Sequence, residues 1–291
     1  MVKIRTQQTK TLHIRPNGRS ADFITPNFIY GCAGGCRNSY CYVMRHNFES
    51  IYINENIDQI LSIIEKHIDS LPMKVANQTD DQYWTYDIGC STDVCLHWKH
   101  TNWLKVFAFF KDHPRAKATF ATKYVNPQLL DYHPEQKVRI RFSLMPMSIS
   151  KLLEPKTSSI IDRIHAINTF IEAGYDVHLN FSPIVAYEGW LHDYDMLFKD
   201  LDTFIKEPYK SYIKAECIFL THQEKQHDRN LAENRKESEA LIWKPDIQEH
   251  KVSEYGGDAV RYKVKIKQNF IQRWMNLHQQ IIPWNTIRYI F

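Results

Sequence analysis

The run GCAGGCRNSYCYVMRH (31–46) constrains this chain more than any other stretch. Three of its six cysteines, Cys32, Cys36 and Cys41, fall inside it, with glycines between the first two and Tyr40 and Tyr42 flanking the third. Thiolates this close in sequence, on a glycine-containing loop, can reach one polynuclear centre without help from distant segments. Three of them can hold three irons of a cubane cluster and leave the fourth iron open to a further ligand. The competing use is a zinc knuckle with His46 as fourth ligand. Zinc sites usually pair cysteines two to four apart and recur after a longer gap, and we find no matching second pair. The cluster is therefore the better reading, and an open iron points to radical chemistry on S-adenosylmethionine (SAM).

The rest of the chain is compatible with that reading. Its 291 residues are enough for one large α/β barrel, or a barrel with a small appendage, and 43% hydrophobic residues can supply the core. A net charge of +4 is compatible with a nucleic-acid partner without arguing for one. No stretch approaches the ~20 apolar residues needed to cross a bilayer. The basic N-terminus, MVKIRTQQTKTLHIRPNGRS, lacks the apolar core of a signal peptide. The expectation is a cytoplasmic protein without membrane contact, whose cysteines act as ligands, reactive thiols or core residues rather than disulfides.

Residues 1–25 are polar and read as a lead-in arm, and PNFIYG (26–31) as a short strand delivering the cysteine loop. Ile57, Ile60, Leu61, Ile64 and Ile68 form a helical stripe over 55–69. Strands are expected at 83–88, 117–122, 138–144, 176–182 and 212–220. Helices are expected at 103–110, 158–173 and 193–206, with a short one from Pro127. Strands alternating with helices at this spacing make βαβ units and a parallel sheet. The fold class is α/β, a partial (β/α)6 TIM-type barrel over 26–222, whose sites gather at the carboxyl ends of strands. Residues 223–250 are polar and charged, and 223–291 form a C-terminal extension with a hairpin turning at Gly256-Gly257, a helix over 267–280 and a closing strand.

Several residues stand at strand ends. Cys90, in GCSTDVCLHW, is either a small buried hydrophobe or a thiol able to give up a hydrogen atom, and spacing leaves both open. Cys95 and Cys217 read as core. Lys123 in FATKY and Ser143 in RFSLMP read as solvated groups or as contacts to a polar cofactor. Trp190 reads as core or as a substrate-rim aromatic. The fourteen histidines show no HExxH or comparable metal spacing and read mostly as surface or partner residues. No phosphate-cradling glycine loop is present.

With these segments on the page, the chain resembles the spore photoproduct lyase family of radical SAM enzymes from about Thr25 to its C-terminus. The resemblance is carried by GCAGGCRNSYCY, CSTDV, FATKY, RFSLMP, EPKTSSIIDRIHAINTFIEAGY, SPIVAYEGW, LFKDL, LTH, RYKV and IRYIF. It implies that Cys32, Cys36 and Cys41 hold a [4Fe–4S] cluster and that Ser91, Lys123 and Ser143 contact SAM. It implies a 5′-deoxyadenosyl radical, formed with an electron from an external donor such as flavodoxin or ferredoxin, that opens a methylene-bridged thymine dimer in DNA. Cys90 corresponds to the hydrogen donor to the product thymine radical, and Tyr40 and Tyr42 to the tyrosines that relay the radical back. Two departures stand out. Four residues, Arg37 to Tyr40, separate Cys36 from Cys41 where the family has two. At the C-terminal turn, where the family places an Arg-Tyr pair near DNA, this chain has Glu254-Tyr255; Tyr255 keeps a ring that can stack on or wedge between bases, whereas a carboxylate beside phosphates is unfavourable. A different nucleotide or RNA substrate is the alternative, and a zinc-bound nucleic-acid-binding module the non-enzymatic one.

Overall fold

The alternation of strand and helix is realised in the computed structural model, which describes residues 1–6, 12–41, 50–252 and 257–291. The elements run β1 (Val2–Arg5), β2 (Arg15–Pro16), β3 (Phe23–Ile24), β4 (Ile29–Tyr30), β5 (Ile51–Asn54), α1 (Ile57–Ser70), β6 (Trp84–Asp87), α2 (Trp103–Asp112), β7 (Ala116–Thr122) and β8 (Val138–Ser143). They continue with α3 (Met147–Leu153), α4 (Ile160–Glu172), β9 (Asp176–Ile184), α5 (Trp190–Phe204), α6 (Glu207–Lys210), β10 (Lys214–Phe219) and β11 (Thr221–His222). The last are α7 (Glu224–Ala232), α8 (Lys236–Ile242), β12 (Gln248–Val252), β13 (Asp258–Tyr262), α9 (Val264–Ile281) and β14 (Thr286–Ile290).

The chain packs as two units. The first comprises the described residues of Met1–Ala33, Val43–Phe142 and Ala166–Leu179. Its main sheet runs β2-β3-β6-β7-β8 and ends on the first half of β9, with β3, β6, β7 and β8 paired in parallel. Parallel neighbours need crossovers, and α2 provides one between β6 and β7. It starts where the Asn102 side chain accepts a hydrogen bond from the Lys105 amide, and it buries Trp103, Val106, Phe107 and Phe110. The stripe of α1 buries Ile60, Leu61, Ile64 and Ile68.

At the amino ends of β7, β8 and β9 the same unit buries charge. Asp176 accepts from Lys117 at 2.9 Å and from Arg139 at 2.7 Å, and Arg139 also reaches Asp80 at 2.7 Å. Burial alone would raise the Asp176 carboxyl, but Arg139, His178 and Lys117 outweigh it and hold the group well below the usual carboxylate range. Charge is thus fixed at the amino ends of these strands, and Cys90 follows the carboxyl end of β6.

The second unit comprises the described residues of Gly34–Tyr42, Ser143–His165 and Asn180–Phe291. Here the rest of β9 is followed by β10 and then β14, which pairs with β10 in parallel. β11, β13 and β12 form a separate antiparallel sheet. Trp274 of α9 is fully buried against Phe181, Tyr194, Phe198 and His278. Trp190 is 5% exposed and packs on Phe219 and Phe270, so its core reading holds. Cys95 and Cys217 are also core residues. No helix among the described residues is long and apolar enough to cross a membrane.

One expectation is corrected. The first residues are more than a polar arm: β1 pairs in parallel with β5, and β2 and β3 join the main sheet of the first unit. The polar stretch 223–250 folds into α7, α8 and β12 and buries mostly polar side chains, Gln226, Asn230, Ser238 and Glu239, beside Ile242. Among the described histidines, His97, His113, His178, His222 and His278 are buried, and the others are exposed or half-buried, as expected of most of them.

Candidate active site

In the first unit the site residues sit on the loops that follow β4, β6 and β7. Gly31 has φ +103, and a Cβ there would lie 2.9 Å from the Ser50 carbonyl oxygen, so only glycine fits. Its N–H donates to the Ser91 carbonyl at 3.0 Å, and its carbonyl accepts from Thr92 Oγ1 at 2.9 Å. The residue before Cys32 is thereby tied to the loop that carries Cys90 and Ser91. On the other side of Cys32, the Ala33 N–H donates to His97 Nε2 at 3.1 Å. Burial, with His100 beside it, lowers His97 to a pKa of about 4, so the ring is neutral at pH 7. Because Nε2 accepts, the proton sits on Nδ1, 3.0 Å from His100 Nδ1.

Cys90 follows β6 on a turn set by Asp87, whose Oδ1 accepts the Gly89 N–H at 2.9 Å while Oδ2 pairs with Arg141 at 2.6 Å. The half-buried thiol is pushed up to about 11 by burial and by Asp87, against the opposing pull of Arg15 and Arg141. Arg15 also hydrogen-bonds to it. The sulfur therefore keeps its hydrogen at neutral pH. Lys123 is fixed through its backbone: its N–H donates to Asp93 Oδ2 at 2.9 Å, and Thr122 Oγ1 donates to Oδ1 at 2.7 Å.

In the second unit the longer spacing between Cys36 and Cys41 is taken up by a turn. Gly35–Asn38 is a 3-10 segment, and the Cys36 carbonyl accepts from the Ser39 N–H at 3.1 Å and the Cys41 N–H at 3.2 Å. The Tyr40 hydroxyl donates to Glu154, and Glu154 Oε2 accepts from Arg163 at 2.7 Å. Burial and the Glu154 charge raise the Tyr40 phenol well above its ordinary value. Arg163 also donates to the Ser143 carbonyl at 2.7 Å, and Asn180 Nδ2 donates to Ser143 Oγ at 3.1 Å. Asn180 Oδ1 is buried with no partner among the described residues. A buried acceptor without a donor beside a serine hydroxyl suits the amine or hydroxyl of a polar cofactor, and three cysteines on one short loop suit an iron–sulfur cluster. Tyr42, His46, Glu254 and Tyr255 lie outside the described residues.

His97, Asp93, Glu154 and Arg163 were not singled out from the sequence. Only Arg163 carried a signal. It shares the α4 stripe with Ile160, Ile164 and Ile167, an apolar face on which a charge must be paired.

The sequence model of the spore photoproduct lyase family matches residues 3–291. A spore photoproduct lyase of Bacillus subtilis is 29% identical over 214 residues, covering 72% of this chain and 59% of that protein. One from a Geobacillus species is 25% identical over 285 residues, covering 96% of this chain and 80% of its own length. Among solved structures, a spore photoproduct lyase complexed with dinucleoside spore photoproduct shares 22% identity and a TM-score of 0.86 over 100% of this chain and 82% of the other. A variant with bound AdoMet and dinucleoside spore photoproduct gives the same values. These likenesses show the expected α/β fold, the radical SAM partial barrel. With a family match over nearly its whole length, this chain belongs to the spore photoproduct lyase family.

Proposed function

We propose that the protein is a radical SAM carbon–carbon lyase that repairs a methylene-bridged thymine dimer in DNA. Family membership and the AdoMet-bound relative support the reaction class. The observation that carries the assignment in this chain is the Cys90 thiol, which burial and Asp87 keep protonated. A thiolate has no hydrogen to give; this sulfur does.

Cys32, Cys36 and Cys41 are the ligands for a [4Fe–4S] cluster, and Ser91, Lys123 and Ser143 the contacts for SAM, with Asn180 Oδ1 as a further acceptor. Bound together, the cluster and SAM supply a carbon-centred radical once an external one-electron donor, of the flavodoxin or ferredoxin class, reduces them. Cys90 then returns a hydrogen atom to the product thymine, and Tyr40 and Tyr42 carry the radical back. Glu154 positions the Tyr40 hydroxyl. Tyr255 contacts the DNA lesion, and the protein works in the cytoplasm.

The test uses anaerobically reconstituted protein with dithionite, SAM and a synthetic spore-photoproduct dinucleotide, with thymine dinucleotide and 5′-deoxyadenosine quantified together. Restored thymine, lost when Cys32, Cys36 or Cys41 is replaced by Ala, supports the lyase. Formation of 5′-deoxyadenosine without thymine overturns the substrate and directs the search to another nucleotide or RNA.

A further inference from the structure

A polar cluster in the second unit is left unused by the proposed reaction. His222 ends β11, His227 lies on α7 and Glu239 on α8, and one ligand atom from each lies within 4.8 Å of the other two. Both imidazoles meet the same carboxylate oxygen: His222 Nε2 is 3.2 Å and His227 Nδ1 2.5 Å from Glu239 Oε2. The other oxygen, Oε1, accepts from Asn230 Nδ2. The His227 ring is held by Trp243, stacked at 4.0 Å and 11°. The His222 and Glu239 side chains are 1% and 4% exposed and that of His227 16%, so the cluster is buried with one more accessible member.

We propose that His222, His227 and Glu239 form a divalent-metal site of the zinc class, built from none of the cysteines. Two imidazoles and one carboxylate are the ligand set of open zinc sites, which keep a fourth position for water or another ligand. With bonds of ~2.0–2.1 Å, tetrahedral ligand atoms stand about 3.3 Å apart. The His222–Glu239 separation of 3.2 Å already meets that spacing. The His227–Glu239 separation must open by roughly 0.8 Å to reach it, and His227 is the more exposed ligand. Asn230 acts as the outer partner that orients a ligating carboxylate. The same Asn230 Nδ2 donates to the Ser39 carbonyl at 2.8 Å, so a bound ion would brace β11, α7 and α8 against the segment carrying Cys36 and Cys41.

The test uses the full chain with Cys32, Cys36 and Cys41 replaced by Ala, which removes the thiolate ligands, titrated with Co2+ and then Zn2+. The expected result is about one bound equivalent, cobalt d–d absorption without a thiolate-to-cobalt charge-transfer band, and displacement by Zn2+. His227→Ala and Glu239→Gln should each abolish it, with folding checked by circular dichroism. Absence of stoichiometric metal in the folded protein overturns the site, as does binding unchanged in both variants. Should the cysteine variant not fold, the cluster-reconstituted wild-type protein gives the same decision: zinc beyond its iron, lost or retained on His227→Ala.

Discussion

Arg163 and Glu154 form an ion pair of 2.7 Å in which the two side chains are 0% and 1% exposed. The guanidinium also donates to the Ser143 carbonyl at 2.7 Å, the Ser158 carbonyl at 3.0 Å and Thr157 Oγ1 at 2.6 Å. The other carboxylate oxygen, Oε1, accepts from the Tyr40 hydroxyl. One buried pair thus connects a proposed SAM contact to a proposed radical relay. Arg163→Leu would leave Glu154 charged and uncompensated, which costs roughly 3–5 kcal/mol. Urea unfolding should show that loss. Arg163→Lys restores charge without the planar fork and should recover part of it. Equal stability of wild type and Arg163→Leu would exclude the pair as the organising contact.

The Cys90 thiol should resist alkylation. Its pKa of about 11, against an ordinary 9.0, leaves little thiolate near neutrality. Iodoacetamide modification, followed at Cys90 by mass spectrometry, should be slow at pH 7.5 and reach half its limiting rate near pH 11. Arg15 stabilises the thiolate, so Arg15→Ala should move that midpoint upward. The linkage has one sign: a raised thiol pKa contributes stability below about pH 9, and the contribution fades as pH rises toward 11. A midpoint at or below 7 would mean that the sulfur is largely thiolate at neutral pH, and would remove the physical basis for Cys90 as hydrogen donor.

The strand ends were legible in the sequence because short-range patterns set them. Cys90, Lys123 and Ser143 each follow an apolar run bounded by polar residues, and each ends or follows a strand here. Asp93 illustrates what was not legible. Its value lies in receiving the Lys123 amide from 30 positions away, and no local period records such a bond. The α7–α8 region was missed for a related reason. Helix stripes are read from apolar residues, whereas α7 faces inward with Gln226 and Asn230 and has their side chains joined at 2.8 Å. A histidine that accepts an amide hydrogen bond, as His97 does, looks in sequence like any surface histidine.

His97 should make stability depend on pH. It is 2% exposed and its pKa falls from 6.5 to about 4 on folding. The unfolded chain therefore takes up a proton first as pH drops. The resulting stabilisation is complete above pH 6.5 and is lost as pH falls toward 4, by about 3 kcal/mol in total. His97→Gln keeps an oxygen acceptor for the Ala33 amide but cannot titrate. Urea unfolding of both proteins at pH 7 and pH 5 should show a smaller loss for the variant. An identical loss would mean that folding leaves the His97 pKa unshifted, and that burial beside the Ala33 amide does not hold the ring neutral at pH 5.

Space, not backbone conformation, fixes Gly35. A Cβ there would stand 1.3 Å from the Pro155 carbonyl oxygen, and a backbone atom cannot rotate away as a side chain would. Gly35, one residue before Cys36, begins the 3-10 turn that ends at Asn38. Gly35→Ala must therefore push this turn off the Pro155 backbone, at a cost of roughly 1–3 kcal/mol. The shift should also carry Cys36 out of position, so iron bound after anaerobic reconstitution should fall well below the wild-type value. Gly189→Ala is the control. That glycine has φ +79 and open space around its Cβ position, so alanine there pays for strained backbone alone, of order 1–3 kcal/mol, at a position remote in sequence from the cysteines. Comparable destabilisation with full iron in Gly189→Ala and depleted iron in Gly35→Ala would separate loop placement from general stability. Full iron in both would show that the cluster ligands tolerate displacement of the turn, and the close approach to Pro155 would then serve only the packing of the second unit.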